Sequence, residues 1–276
     1  KVRTRSCTRN STERVVGPGC STQEASPQIL RKLRAPESWN NRDVRSITQS
    51  RKLSGVRYDV RGPILQEAER LERDGHEILK LNIGNPAPFG CEAPPAIVEA
   101  LQLALPNAQG YSDSRGILPA REAVSRFYAE EGVHGIRPDD VIIGNGVSEM
   151  ISLVLQALVD DGDEILVPSP DYPLWTAQVT LSGGRAVHYP CDESNGWMPD
   201  LDAIEARITP RTKGIVLINP NNPTGAVYSA KLVRGFAALA ERHGLVLMSD
   251  EIYEKILYDG ATHEHAALHV SDTLCL

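Results

Sequence analysis

Three side chains that could bind a planar, polar ligand follow two apolar segments of this sequence. Asn222 comes after Gly214–Ile218, and Asp250 and Tyr253 come after Leu245–Met248. If the two segments are neighbouring parallel strands, an amide, a carboxylate and a phenol meet at one edge of an open α/β sheet, where such sheets bind ligands. Taken singly, each side chain also has an ordinary role: a carboxylate that caps a turn, an Asn-Pro turn, and an aromatic at the edge of the core.

Another candidate binding segment is Gly146-Val147-Ser148, which lies between an apolar run and a segment of helical periodicity. Backbone N–H groups at the beginning of a helix, aided by the helix dipole, can bind a phosphate group. The same residues are also typical of a helix that is capped by Ser148 and carries Glu149 in its first turn. The local sequence therefore leaves a phosphate site and a plain helix cap both open.

The order of the apolar segments predicts the elements that position these residues. From Val141 onward, short apolar runs alternate with segments of helical periodicity, which is typical of a parallel sheet covered by helices on both faces. The predicted fold class is therefore α/β, with a mixed, mostly parallel sheet. The predicted strands are Val141–Gly144, Glu164–Val167, Ala186–Tyr189, Gly214–Ile218 and Leu245–Met248, and the predicted helices are Ser148–Val159, Tyr172–Leu181, Asp200–Arg207 and Ser229–His243.

Upstream of Val141 the pattern is less regular. It predicts a helix that begins at Gly62-Pro63 and stops at Gly75, a strand over Ile78–Gly84, and helices near Pro94–Leu105 and Ile117–Glu131. At the other end of the chain, Asp272–Leu276 resembles the beginning of one more strand.

Composition indicates a globular protein. The chain has 276 residues, 41% of them hydrophobic and 24% charged, and its net charge of −7 argues against nucleic acid as a main partner. No apolar run suits a secretory signal or a membrane span, so no membrane partner is predicted. The five cysteines lie far apart without metal-like spacing, so we predict no metal site, reduced thiols and a cytoplasmic location.

The beginning of the chain has the opposite charge. Residues 1–57 contain 13 Lys and Arg against four Asp and Glu, with many Ser, Thr, Asn and Gln and no sustained apolar period. We expect a basic, poorly ordered extension over residues 1–57. A transit peptide, a mis-assigned upstream start and an unrelated leader remain open as its origin.

Five motifs in a fixed order carry a family resemblance: Leu79–Gly90, Ala108–Ser114, Gly144–Glu149, Ile218–Gly225 and Ser249–Tyr253. From residue 58 to residue 276 the chain resembles the class I and II pyridoxal 5'-phosphate (PLP)-dependent aminotransferases of fold type I, and within them the bacterial alanine aminotransferases. The resemblance implies an arm and part of a small domain over residues 58–90, and the PLP-binding large domain over residues 91–276.

The resemblance also implies roles for the cofactor-binding residues. Asp250 matches the carboxylate that lies against the pyridine nitrogen of PLP and keeps it protonated. Asn222 and Tyr253 match the donors to the phenolic oxygen. The segment 146–148 matches the phosphate site, and Tyr172 matches the aromatic that stacks on the ring.

Other matches concern the substrate and a second subunit. Gly84 matches the glycine beside the substrate carboxylate, a role that Asn222 shares, and Tyr58 and Arg61 lie on an arm that can cover the site. Tyr111 matches a residue that reaches the phosphate in the neighbouring subunit. The resemblance therefore implies a homodimer whose active sites are built from both subunits.

The implied activity is amino-group transfer between an L-amino acid, alanine, and a 2-oxo acid such as 2-oxoglutarate. The family's Schiff-base lysine is expected beyond Leu276, and Lys255, the lysine nearest to Tyr253, is expected to be an ordinary surface residue. We therefore predict that this chain is the N-terminal part of a longer parent protein, contains no catalytic lysine and does not transaminate by itself. A PLP-dependent C–S lyase and a non-catalytic domain of the same fold are the alternatives.

Overall fold

The apolar runs in the second half of the chain form a five-stranded sheet. The computed structural model describes residues 48–56, 62–80, 84 and 87–276. Its strands are β1 (Glu164–Ser169), β2 (Arg185–Asp192), β3 (Met198–Pro199), β4 (Thr212–Ile218) and β5 (Val246–Asp250), in the spatial order β3-β2-β1-β4-β5. The β1–β2, β1–β4 and β4–β5 pairs are parallel and the β2–β3 pair is antiparallel, which confirms the predicted mixed, mostly parallel sheet.

Helices pack on both faces of this sheet. On one face, Ile165 of β1 belongs to an apolar cluster with Leu155 and Trp175; on the other, Leu166 belongs to a cluster with Ile204 and Phe236. Successive strand residues point to opposite faces, so the two clusters are separate layers of core. The helices are α1 (Pro63–Arg73), α2 (Pro95–Ala104), α3 (Leu118–Glu130), α4 (Val147–Leu158), α5 (Pro173–Leu181), α6 (Leu201–Glu205) and α7 (Ala230–His243).

The predicted helices all occur, with ends that agree to within about two residues. The strand predicted at Val141–Gly144 is wrong. The segment has no regular secondary structure. Its one described backbone bond beyond the adjacent turn is from Ile143 N–H to the Arg115 carbonyl, at 2.8 Å, and no strand of the described residues pairs with it. The described part of the predicted strand Ile78–Gly84 is also irregular, and residues 81–83 lie outside the described residues.

Glu164 fixes the beginning of β1. Its side chain is fully buried, and its Oε1 accepts hydrogen bonds from Arg185 Nη2 at 2.5 Å and Arg211 Nη2 at 2.8 Å. Burial alone would raise the pKa of Glu164, but hydrogen bonds from Thr209, Arg185 and Arg211 lower it to about 2. Glu164 is therefore an ionised carboxylate that holds the neighbouring chain segments at the amino end of the sheet.

Asp272–Leu276, predicted to begin one more strand, form a single bridge with β5 and no regular strand. Leu247 and Cys275 form a parallel bridge, and Ser249 N–H donates to the Leu276 carbonyl at 2.7 Å. Near the other end, Arg51–Gly55 form a 3-10 helix within the predicted extension. The boundaries at residues 57 and 90 stay predictions. No helix among the described residues has the length and apolar character needed to cross a membrane.

Candidate active site

The register of β4 and β5 brings two of the sequence motifs together. Ile218 pairs with Asp250, so both strands end at the same level, and Asn219 N–H donates to the Asp250 carbonyl at 3.0 Å. The turn that contains Asn222 and the segment that contains Tyr253 therefore leave the same edge of the sheet. This edge is the carboxyl end of parallel strands, where the sequence predicts a ligand.

Asp250 is a buried acceptor at this edge. Its residue is 7% exposed, and its Oδ2 accepts a hydrogen bond from Trp175 Nε1 at 3.1 Å. The other oxygen, Oδ1, lies 3.4 Å from Ile252 N, which is longer than a good hydrogen bond. Burial raises the pKa of Asp250, although the hydrogen bond from Trp175 opposes this shift. The carboxylate thus has an oxygen with capacity for a further donor, and a protonated ligand nitrogen would compensate its buried charge.

A cleft of about 450 Å³ opens among the segments that follow β4 and β5, and both Asn222 and Tyr253 line it. Its volume lies in the range of small-molecule sites. The wall of the cleft is a rigid turn, because Asn221 Oδ1 accepts from Thr224 Oγ1 at 2.8 Å and Gly225 N–H donates to the Asn221 carbonyl at 2.8 Å. The structure therefore places the predicted amide and phenol in one cleft.

The beginning of α4 is exposed and formed by backbone. Gly146 is the N-cap residue, with φ of 84° and no side-chain cap, so the alternative in which Ser148 caps the helix is wrong. No hydrogen bond among the described residues uses the N–H groups of Val147 or Ser148, as expected for a first helical turn. These N–H groups are therefore available to an anion. The nearby Glu149 Oε2 accepts a hydrogen bond from Asn145 N–H at 2.5 Å.

The remaining predicted residues fall into three groups. Tyr172 is the N-cap residue of α5 and packs, with Val147, against the apolar cluster that contains Trp175. Tyr111 is fully exposed, and Gly84 is exposed with open space around its Cα. Tyr58 and Arg61 lie outside the described residues.

Trp175 is a site residue that the sequence analysis missed. It lies on α5, and 75 residues separate it from Asp250, so no local pattern could reveal their hydrogen bond. The available signal was weak: an aromatic residue one helical turn after Tyr172 in a predicted helix. Lys255 behaves as expected, since its Nζ pairs with Glu131 Oε1 at 2.6 Å on the surface.

Comparison with known proteins identifies the family. The model of the aminotransferase class I and II family matches residues 76–275, and the chain belongs to this family. It is 56% identical over 230 residues to glutamate-pyruvate aminotransferase AlaA of Escherichia coli strain K12, and 58% identical over 233 residues to alanine aminotransferase of Mycobacterium tuberculosis strain H37Rv. These matches cover 83% and 84% of this chain, and 57% and 54% of the two relatives.

A solved structure supports the same assignment. Alanine aminotransferase from Pyrococcus furiosus superposes with a TM-score of 0.77 at 38% identity, over 82% of this chain and 57% of the other. The chain thus spans little more than half the length of the relatives that it matches.

Class I and II aminotransferases use PLP as their cofactor, and the described residues fit it. Asp250 offers a buried carboxylate oxygen to a ring nitrogen, and the exposed N–H groups of α4 offer a phosphate site. Asn222 and Tyr253 offer an amide and a phenol from one cleft. The ring nitrogen, the phenolic oxygen and the phosphate of PLP therefore each have a chemically suitable partner, and the aldehyde is the group left for the expected lysine.

Proposed function

We propose that the parent protein, extended past Leu276 to the length of its relatives, is an alanine aminotransferase. It would move an amino group between L-alanine and a 2-oxo acid, with 2-oxoglutarate as the acceptor. The names and 56–58% identity of the two bacterial relatives support the substrate class. The observation that carries the chemistry is the buried Asp250 carboxylate at the end of β5, the strand from which the segment with Tyr253 leaves the sheet.

PLP, when bound, accepts the electron pair that remains when the α-carbon of the amino acid loses its proton. In the proposal, Asp250 holds a proton on the ring nitrogen and Trp175 fixes the orientation of Asp250. Asn222 and Tyr253 donate to the ring oxygen. The N–H groups of residues 146–148 hold the phosphate, and Tyr172 covers one face of the ring and excludes water from it.

Apart from Asn222, the proposed substrate contacts come from the parts of the chain before α2. Gly84 would let a substrate carboxylate approach its backbone, since it has no side chain. Tyr58 and Arg61 would cover the site from the arm. These three assignments rest on the motif match alone, and the lysine that moves the proton is proposed to lie beyond Leu276.

The test uses the parent protein and its Asp250→Ala variant. We expect the parent to consume L-alanine and 2-oxoglutarate in equal amounts, and the variant to lose at least about 100-fold in turnover because a charged hydrogen bond to the ring nitrogen is gone. Circular dichroism should show an unchanged fold. Turnover of the variant close to that of the parent would contradict the role of Asp250.

A second assay separates the proposal from C–S lyase chemistry, which nothing in the described site favours. With one water, a lyase converts an amino thioether to pyruvate, ammonia and a thiol without any 2-oxo acid, whereas a transaminase stops after one turnover per site. Sustained pyruvate release would replace the present proposal.

We also propose a homodimer and a cytoplasmic location. The complete exposure of Tyr111 is consistent with a side chain that reaches a second subunit. Light scattering of the purified parent should give twice the mass of one chain, and cell fractionation should place it with cytoplasmic markers. A monomer with full activity would exclude a role for Tyr111 across subunits.

A further inference from the structure

Four titratable side chains that the proposed reaction does not use meet on the segment after β5. We refer to Glu251, Glu254, His263 and His265 as the His–Glu cluster. One potential ligand atom from each lies within 4.8 Å of all the others. The side chains are between 6% and 20% exposed, so the cluster is mostly removed from solvent.

One carboxylate oxygen stands at the centre of the cluster. Glu251 Oε2 lies 3.2 Å from His263 Nε2 and 2.6 Å from His265 Nδ1. Three ligand atoms bound tetrahedrally to Zn²⁺ at about 2.0–2.1 Å are about 3.3 Å apart. The two distances from Glu251 Oε2 are within about 1 Å of that spacing, and the two imidazole nitrogens fall within the 4.8 Å limit of the cluster. A set of two imidazoles and one carboxylate is a known zinc ligand set in proteins.

The surrounding hydrogen bonds orient these ligands as an outer shell would. Glu251 Oε1 accepts from Ser249 Oγ at 2.7 Å and Ala266 N–H at 2.9 Å, which leaves Oε2 directed at the imidazoles. Glu254 Oε2 lies 3.6 Å from His265 Nε2, the ring nitrogen that faces away from Glu251, which is an ion-pair distance just beyond hydrogen-bond length. A carboxylate behind a ligating histidine fixes its tautomer and makes it a stronger metal ligand.

The charge of the cluster favours a cation over a purely internal hydrogen-bond network. Two carboxylates share this pocket, whereas the adjacent Lys255 is paired with Glu131. Buried carboxylates need a compensating charge, and a divalent cation supplies it without requiring protonated imidazoles.

We propose that Glu251, His263 and His265 bind a divalent transition-metal ion, with Zn²⁺ the best match, and that Glu254 orients His265 from the outer shell. The ion would join the segment at residues 263–265 to the end of β5. Its role would be structural, because Glu251 and the neighbouring Asp250 face different partners.

The test is metal binding by the 276-residue chain, which needs no activity. The chain is stripped with a chelator, its thiols are blocked, and Zn²⁺ is titrated by calorimetry at pH 7, with Co²⁺ absorption as a second readout. We expect one equivalent to bind. His263→Ala should weaken binding at least about 100-fold, and Glu254→Gln about 10–100-fold as an outer-shell change.

His269→Ala is the matched control, because His269 is also largely buried and pairs with one carboxylate, Glu264, at 2.7 Å. It should bind Zn²⁺ as the unmodified chain does. Urea unfolding without metal identifies any variant that fails to fold, and His263→Gln replaces His263→Ala in that case. Absence of saturable one-to-one binding, or equal binding by the His263 and His269 variants, would overturn the proposal.

Discussion

Asp250→Asn tests the site directly because it removes one negative charge and almost no volume. The Asn Oδ1 can still accept the hydrogen bond that Trp175 Nε1 now gives to Asp250 Oδ2 at 3.1 Å. Burial raises the pKa of Asp250, which means that the ionised carboxylate costs free energy in the folded chain without cofactor. The substitution should therefore separate the stability of the chain from its affinity for PLP.

Asp250→Asn should weaken PLP binding but should not lower the stability of the chain without PLP. A hydrogen bond that involves a charged group contributes about 1.5–3 kcal/mol, so losing it should weaken PLP binding by the parent protein about 10–150-fold. Without PLP, the neutral amide should leave the free energy of unfolding unchanged or raise it by up to about 1 kcal/mol. When the pKa of a carboxyl is higher in the folded than in the unfolded chain, the free energy of unfolding falls as pH rises from the unfolded pKa to the folded pKa. The stability advantage of Asp250→Asn should therefore be larger at pH 7 than at pH 4.

Two measurements decide the matter. Urea unfolding of the 276-residue chain at pH 4 and pH 7 gives the stability difference, and a PLP titration followed by absorbance gives the affinity of the parent and its variant. Asp250→Glu serves as the control that keeps the charge. If Asp250→Asn destabilises the chain by more than about 2 kcal/mol and binds PLP normally, Asp250 is a turn cap and the reasoning is wrong.

Three further predictions concern stability and the cofactor. Glu164→Gln should lower the free energy of unfolding by about 2 kcal/mol at pH 7, because Arg185 and Arg211 lose their charged partner. This difference in free energy should shrink as pH falls from about 4.5 towards 2, which urea unfolding across that pH range measures. Gly146→Ala should cost about 1–2 kcal/mol in the same assay, because φ is 84° although no atom blocks the new Cβ. Tyr253→Phe should weaken PLP binding by the parent about 5–10-fold with stability within about 1 kcal/mol, and unchanged PLP affinity would exclude the phenol as a cofactor donor.

The sequence predicted the buried strands well because of where they lie. Residues of β1 and β4 are covered on both faces, so each strand appears as a continuous apolar run that few other elements produce. Val141–Gly144 carries the same signal, yet Ile142 is 60% exposed and the segment has no strand partner among the described residues. Apolar β-branched residues favour an extended backbone, but a strand also needs a neighbour, and pairing over long separations leaves no local trace.

The candidate site shows the same limit at the level of single residues. Asp250 and Glu251 are adjacent in sequence, and the motif around them suggested one function. Successive residues at the end of a strand point to opposite faces, so Asp250 meets Trp175, whereas Glu251 meets His263 and His265. Burial raises the pKa of Asp250. Burial would also raise the pKa of Glu251, but hydrogen bonds outweigh it and lower that pKa to about 2; the donors are His263, the Ala266 amide, Ser249 and His265.

These opposite pKa shifts indicate different uses for two neighbouring carboxylates. Glu251 already has donors at both oxygens, so a ligand or cation there must replace a proton in an existing network. Asp250 accepts one good hydrogen bond, and the chain does not otherwise compensate its buried negative charge. A cationic partner therefore adds an interaction that the chain alone lacks. The type of residue was readable from the sequence, but the unmet requirement of Asp250 depends on contacts made 75 residues away, and that requirement is what makes it the candidate for binding a protonated ring.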